Sequence, residues 1–301
     1  MINDNTPLPH DNSILTFMID DSALSGRIIR LGSVLDDILN RHDYPDSVAT
    51  LLGQFIALGA GIATALKFDG IFTLQAKGNG VVPLMVVDIT ASGDLRGYAN
   101  IDGDIPELAT CKDTLASTLM GTGHIMITVD QSTEGGRYQG VVALDKDTLE
   151  ACIKEYFEKS AQFASFNRIA CAKTSTGWRA GCAGISKLPA EETKRDVKAE
   201  QENWEEKVVL LNSLKDDELV DVQLSAEDII YRLYHTSEIK VFETSALQDT
   251  CRCNSQRMHT ALNHLDKAEK KSMFEKQNNV EIICQYCSKQ YLFSPKDLGV
   301  E

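Results

Sequence analysis

Two stretches near the end of the chain, "DTCRCNS" at 249–255 and "ICQYCS" at 283–288, hold half of its eight thiols in two close pairs. Cys251 and Cys253 are one residue apart, Cys284 and Cys287 two apart, and thirty residues separate the pairs. Thiols so placed can form a disulfide framework, a catalytic dithiol, a structural zinc site, or a group that alternates between these states. A tetrahedral thiolate site needs two such pairs, each clamping one edge while the intervening chain folds back across it. The spacing therefore points to one Zn2+ held by Cys251, Cys253, Cys284 and Cys287 in the reduced chain. His259 and His264 lie between the pairs, but four thiolates already complete a tetrahedron, so both are read as solvated helix residues. A thiol-disulfide oxidoreductase would place one activated thiol at a helix N-terminus. Here Cys287 is followed by "SKQYLF", a strand pattern. A purely structural zinc-binding interaction module is the other alternative.

Magnitudes separate the redox states. A piece the size of residues 245–301 is marginal on its own core and usually carries a metal or another staple. Structural zinc supplies on the order of 10 to 16 kcal/mol of apparent binding free energy, comparable to the ~5 to 15 kcal/mol stability of a whole domain. Oxidation between nearest partners gives Cys251–Cys253 and Cys284–Cys287, which close very small loops and restrain the unfolded chain little. It would exchange one long-range crosslink for two short ones, release the metal and unfold the module. Tight bridges of this kind are reducible, so the change is expected to be reversible.

The elements that must position these thiols follow from periodicity. "SVLDDILNRHDYPD" reads as an amphipathic helix with Val34, Leu35, Ile38 and Leu39 on one face, ended by Tyr44-Pro45. Asp46 is placed to cap a long helix, "SVATLLGQFIALGAGIATALK", apolar nearly all round and so expected at the centre of the core. "GIFTLQAK", "VVPLMVVDIT", "LRGYANI", "HIMITVD" and "RYQGVVAL" read as strands. "DTLEACIKEYFEKSA" reads as a helix, and "NRIACAKT" with "WRAGCAGISKL" as a hairpin. The fold class is α+β, a mostly antiparallel sheet with packed helices over residues 1–190. Cys111, Cys152, Cys171 and Cys182 are read as small buried apolar residues. Cys171 and Cys182, on the hairpin, could face each other.

Residues 191–244 form an acidic helical linker, rich in helix formers, in which Trp204, Val208 and Leu211 make one apolar stripe and Ile229, Ile230, Leu233 and Tyr234 a second. Its 15 acids against 7 bases weaken such helices in isolation. If the stripes pack on a metal-dependent module, unfolding that module exposes them, and exposed apolar surface captures other non-native chains. Residues 245–301 are the zinc module: a helical stretch "SQRMHTALNHLDKAEKKSMFEK", then "VEIICQYCSKQYLFS" as a hairpin with its cysteines at the turn.

The formal net charge of −14 and the absence of a basic stripe argue against nucleic-acid partners. No membrane span is expected, and "MINDNTPLPHDNSILTFMIDD" lacks the basic start of a signal peptide, which points to the cytoplasm, where thiols stay reduced. "GNG" at 78–80 and "GTGH" at 121–124 are turns without the spacing of a phosphate loop, and no residue set suggests an enzyme.

The four cysteines, with "IIYRLYH" before them and "YLF" after, resemble the redox-regulated 33-kDa heat-shock chaperone family. "HDYPDSV" at 42–48, "TALKFDG" at 64–70, "RGYANIDGDIP" at 96–106, "RYQGVVAL" at 137–144 and "YFEKS" at 156–160 extend the likeness over most of the chain. The resemblance implies an ATP-independent holdase, inactive while reduced and zinc-bound and activated by oxidative stress aided by heat. It implies zinc thiolates at Cys251, Cys253, Cys284 and Cys287, and switch disulfides Cys251–Cys253 and Cys284–Cys287. It places a metastable linker at about Glu191 to Thr244. The implied partners are unfolded or partly folded client proteins, ATP-driven refolding chaperones downstream, and a second copy of the chain in an activated homodimer. Asn254 departs from the serine usual in the family.

Overall fold

Strand alternation and helical stripes resolve into two compact units dividing between Asp249 and Thr250 in the computed structural model. It describes residues 11–19, 23–66, 68–107, 109, 111–131, 136–158, 163–188, 197–275 and 277–300. The expected boundary at 190/191, the first residues of the expected linker and the end of "YFEKS" lie outside these.

The first unit starts with β1 (Ser13–Ile19) and β2 (Leu24–Leu31), followed by α1 (Ser33–Leu39) and α2 (Asp46–Ala65). Then come β3 (Gly70–Gly78), β4 (Leu84–Thr90), β5 (Asp94–Asn100), α3 (Leu115–Met120), β6 (Gly123–Gln131) and β7 (Arg137–Leu144). After α4 (Leu149–Tyr156), the expected hairpin forms as β8 (Ser165–Thr174) and β9 (Gly177–Lys187). The acidic region supplies α5 (Val197–Asn212), α6 (Asp216–Val220) and α7 (Ala226–Tyr234), then three short strands: β10 (Ile239–Val241), β11 (Ser245–Ala246) and β12 (Gln248–Asp249).

These strands build two sheets. One runs β10-β1-β2-β9-β8, with β11 also on β1; the other runs β12-β5-β4-β3-β6-β7. Every pairing is antiparallel except β12 on β5. The fold class is thus the expected α+β, with two sheets where the sequence suggested one. Helix α2 lies between them, and its apolar residues share a core with Ile29 and Leu31 on one side and Leu74, Met85 and Val87 on the other. It is long and apolar enough to cross a bilayer, yet 83% of that window is buried inside the protein, the signature of a core helix. Asp46 opens α2 from inside its first turn, the capping position being Pro45, so the expected side-chain cap is absent.

Close approach of α2 to the first sheet depends on residues without side chains. A Cβ on Gly53 would lie 2.3 Å from Cys171 Sγ, and one on Gly61 2.7 Å from Cys182 Sγ. Cys171 and Cys182 are therefore knobs seated in two notches of one helix, eight residues apart. Cys171 pairs across the hairpin with Ala180, and Cys182 with Ile169, so the two cysteines do not face each other as expected. Their diagonal separation, roughly 7–8 Å between Cα atoms, is beyond disulfide reach. Burial pushes the Cys182 thiol up to about 12, partly opposed by the nearby Arg27. Cys152 is also buried, whereas Cys111 is exposed, against the expectation for it.

The opposite face of the first sheet carries the acidic helices. Leu211 of α5 and Ile229, Ile230, Leu233 and Tyr234 of α7 are buried against Leu15, Phe17, Ile28 and Ile185, with Trp204 and Val208 half-buried beside them. Ser225 caps α7 by accepting from the Asp228 N–H at 3.0 Å, while Asp228 accepts from the Ser225 N–H at 3.1 Å. Both predicted stripes thus have a partner within the first unit.

The second unit contains α8 (Ser255–Leu262), α9 (Lys267–Ser272) and the hairpin β13 (Val280–Ile283) with β14 (Gln290–Phe293). Its core is small: Leu262, Cys284, Tyr291, Phe293, Leu298 and Val300 are the buried members.

Candidate metal centre

The first cysteine pair precedes α8 in irregular chain. Asn254 follows it as the cap of α8, its side chain accepting from the Arg257 N–H at 2.9 Å, so the departure from serine keeps a capping residue in place. The second pair sits where β13 turns into β14. There the Cys284 N–H donates to the Lys289 carbonyl at 2.9 Å and the Ser288 N–H to the Cys284 carbonyl at 2.8 Å, with Ser288 left-handed at φ 58°. The turn curls the chain around the two sulfurs.

The four Sγ atoms converge, all within 4.8 Å of one another. Cys251 and Cys284 are 3.7 Å apart and Cys253 and Cys287 3.3 Å, so close contacts run between the pairs. A tetrahedron of thiolates about 2.3 Å from a central ion has edges of about 3.8 Å. The donor set therefore fits a tetrahedral metal site, drawn from residues 33 and 34 apart in sequence. Among the described residues no other group of three or more histidine, cysteine or acidic side chains meets that test. His259 and His264 are not members; the His259 ring bonds to the Asp297 carbonyl at 2.8 Å instead.

Electrostatics distinguish the four thiols. Burial disfavours charge on Cys253, but hydrogen bonds from the Tyr291 hydroxyl, at 3.1 Å, and from the neighbouring thiols prevail and bring it down to about 7. Cys287 is pushed up to about 12, first by burial and then by its hydrogen bonds within the cluster. Burial also raises Cys284. Of these three thiols, the surroundings favour the thiolate form at Cys253. Tyr291 escaped the sequence reading; the signal was the alternation in "QYLF", which turns Tyr291 and Phe293 inward.

A sequence-family profile described as Hsp33 protein matches residues 12–294. A 33 kDa chaperonin of Caulobacter vibrioides (strain NA1000 / CB15N) is 33% identical over 293 residues, covering 95% of each chain. One from Escherichia coli (strain K12 / DH10B) is 31% identical over 292 residues, covering 97% of this chain and 95% of the relative. The crystal structure of the 33 kDa chaperonin of Thermotoga maritima superposes with a TM-score of 0.80 at 23% identity, over 96% of this chain and 97% of that one, and shows the same fold. With a profile match across nearly its whole length and relatives of this identity, the chain belongs to the Hsp33 family of chaperones.

Proposed function

We propose that the protein is a redox-regulated, ATP-independent holdase, silent while its four thiols are reduced and zinc-bound and active once they are oxidised. The observation that carries this reading is the convergence of Cys251, Cys253, Cys284 and Cys287 within 4.8 Å in a unit whose core is otherwise small. Zinc fits the all-thiolate donor set best and, when bound, supplies a crosslink between the two pairs. The thiols make that crosslink breakable. In each pair the two thiolates give up two electrons and one S–S bond forms; a peroxide accepts the electrons, its O–O bond breaks, and with two protons from solvent it leaves as two waters. We assign the pairs as Cys251–Cys253 and Cys284–Cys287, whose short loops cannot replace the long-range tie.

The reading keeps three functional regions: residues 1–190, an acidic helical linker at 191–244 and a zinc module at 245–301. Clients are unfolded or partly folded proteins, held for ATP-driven chaperones that refold them, with a homodimer as the active form. The chain is not an enzyme and works in the cytoplasm. The test exposes reduced, zinc-loaded protein to peroxide at mildly raised temperature. It then reads metal release, suppression of aggregation of an unrelated unfolding protein, and disulfide turnover. Metal release together with broad suppression is expected. Retained metal without suppression would leave a structural module, and catalytic turnover would make it an oxidoreductase.

A further inference from the structure

Residues 239–249 form a strap that closes the edges of both sheets of the first unit. β10 and β11 pair with β1, and β12 pairs with β5. The strap is held through its backbone and its last two side chains: the Phe242 N–H donates to the Thr16 carbonyl at 2.9 Å, Leu247 to Asn12 at 2.6 Å and Gln248 to Gly93 at 3.0 Å, while the Gln248 amide donates to Asp94 at 2.6 Å and Asp249 pairs with Arg41. Leu247 is its one buried side chain; Val241 and Phe242 are exposed at 45% and 40%. Beneath it lies a cavity of about 520 Å³ walled by Ile14, Leu66, Phe68 and Ile89, with Ser245 and Ala246 along its rim. The edge it covers is a regular seven-residue strand, whereas its own strands are only two or three residues long.

We propose that this strap is a built-in stand-in for the client. The site it fills, the outer edge of β1 with the adjoining cavity, takes an extended, apolar-bearing segment of a non-native polypeptide. The inference rests on the holdase reading above and names the docking surface that reading leaves open. Three features select this occupant. Backbone pairing to a strand edge binds unrelated sequences, as a general holdase must. The strap shows that an extended chain with one apolar anchor fits. Releasing it uncovers that edge at the loss of one buried side chain, one ion pair and a few hydrogen bonds, whereas lifting α5–α7 would dismantle a whole core cluster. The strap also ends at Asp249, two residues before Cys251, so the loss of order that follows thiol oxidation begins at its anchor.

Because the Thr16 carbonyl faces the strap, the Thr16 and Met18 amides point the same way, and their hydrogen exchange reports on the site. The full-length protein is compared reduced and metal-loaded, oxidised, and oxidised with reduced, carboxymethylated α-lactalbumin, a permanently non-native chain. Oxidation is expected to speed exchange at both amides by about tenfold or more, and the added chain to slow it again by a similar factor. Leu247→Asp should show fast exchange and bind the same chain without oxidant; if that variant does not fold, the wild-type exchange data decide alone. A complex that forms while both amides stay fast, or oxidation that leaves them slow, overturns the strap site and spares the holdase reading. Failure to form a complex in any state overturns both.

Discussion

The Tyr291 hydroxyl donates to Cys253 Sγ across 3.1 Å, tying the second strand of the terminal hairpin to the first cysteine pair. Tyr291→Phe keeps the buried ring and removes only the donor. Loss of a hydrogen bond to a metal ligand typically weakens metal binding about 10- to 100-fold. Without the hydrogen bond the Cys253 thiol rises from about 7, so protons compete better for the sulfur and the deficit shrinks as pH increases. Competition with a chromophoric chelator below and above neutrality checks both points; unchanged affinity would remove Tyr291 from the site.

The sulfur geometry makes the disulfide assignment a sharp question. Close sulfur contacts join Cys251 to Cys284 and Cys253 to Cys287, whereas the proposed switch pairs Cys251 with Cys253 and Cys284 with Cys287. Bridges between the pairs would keep a long loop tied and leave the second unit folded. Peptide mapping of the peroxide-treated protein should find only the local bridges, with loss of ordered signal from the hairpin. Cross-pair bridges in a folded unit would refute the unfolding step.

Cys284→Ser with Cys287→Ser removes one edge of the donor set. The contribution lost, on the order of 10 kcal/mol, exceeds what a core of six buried residues can replace. The variant should purify without metal and show a disordered second unit. Its suppression of client aggregation should no longer depend on oxidant. A folded, still oxidant-dependent variant would break the proposed coupling.

Cys171 packs its sulfur against Gly53 in the core. Gly53→Ala drives a methyl into its sulfur and should cost about 1–3 kcal/mol in thermal or denaturant unfolding. Adding Cys171→Ala leaves the old Cβ contact at 3.3 Å as the nearest, so the double variant should recover much of that loss. Peroxide activation should survive Cys171→Ala unchanged; dependence on this thiol would move part of the redox response into the first unit.

The elements most legible in the sequence were those that bury one face or all of it. The length and apolarity of α2, the stripes of α5 and α7 and the alternation in β3 to β9 all carried through. β1 and β2 did not. "SILTFMI" lacks polar alternation because Ile14 packs on one core while Leu15 and Phe17 pack on the other. β2 carries Arg27 and Arg30, which look like surface residues but are buried. Arg27 donates to Ser186 Oγ at 2.8 Å, and burial lowers its guanidinium to about 10; Arg30 donates to the Asp221 carbonyl. The strap escaped for a different reason: strands of two or three residues show no period, and their partners are more than 150 residues away. The spacing did single out the four cysteines whose sulfurs converge within 4.8 Å, because two close pairs leave few other ways to complete one tetrahedron. Tyr291 was invisible as a site residue, since a buried aromatic on a strand is ordinarily core.

The pairing of β1 with residues 239–246 also sets a timetable for biosynthesis. β1 leaves the ribosome some 220 residues ahead of its outer neighbour, an interval of roughly ten to forty seconds at ordinary elongation rates. Throughout it, the nascent chain presents a bare template that other unfinished polypeptides can join. The strap arrives together with the four cysteines, since Cys251 follows it almost at once and Cys287 lies 38 residues beyond Asp249. Newborn molecules therefore carry an uncovered β1 edge until residues 239–246 emerge to pair with it.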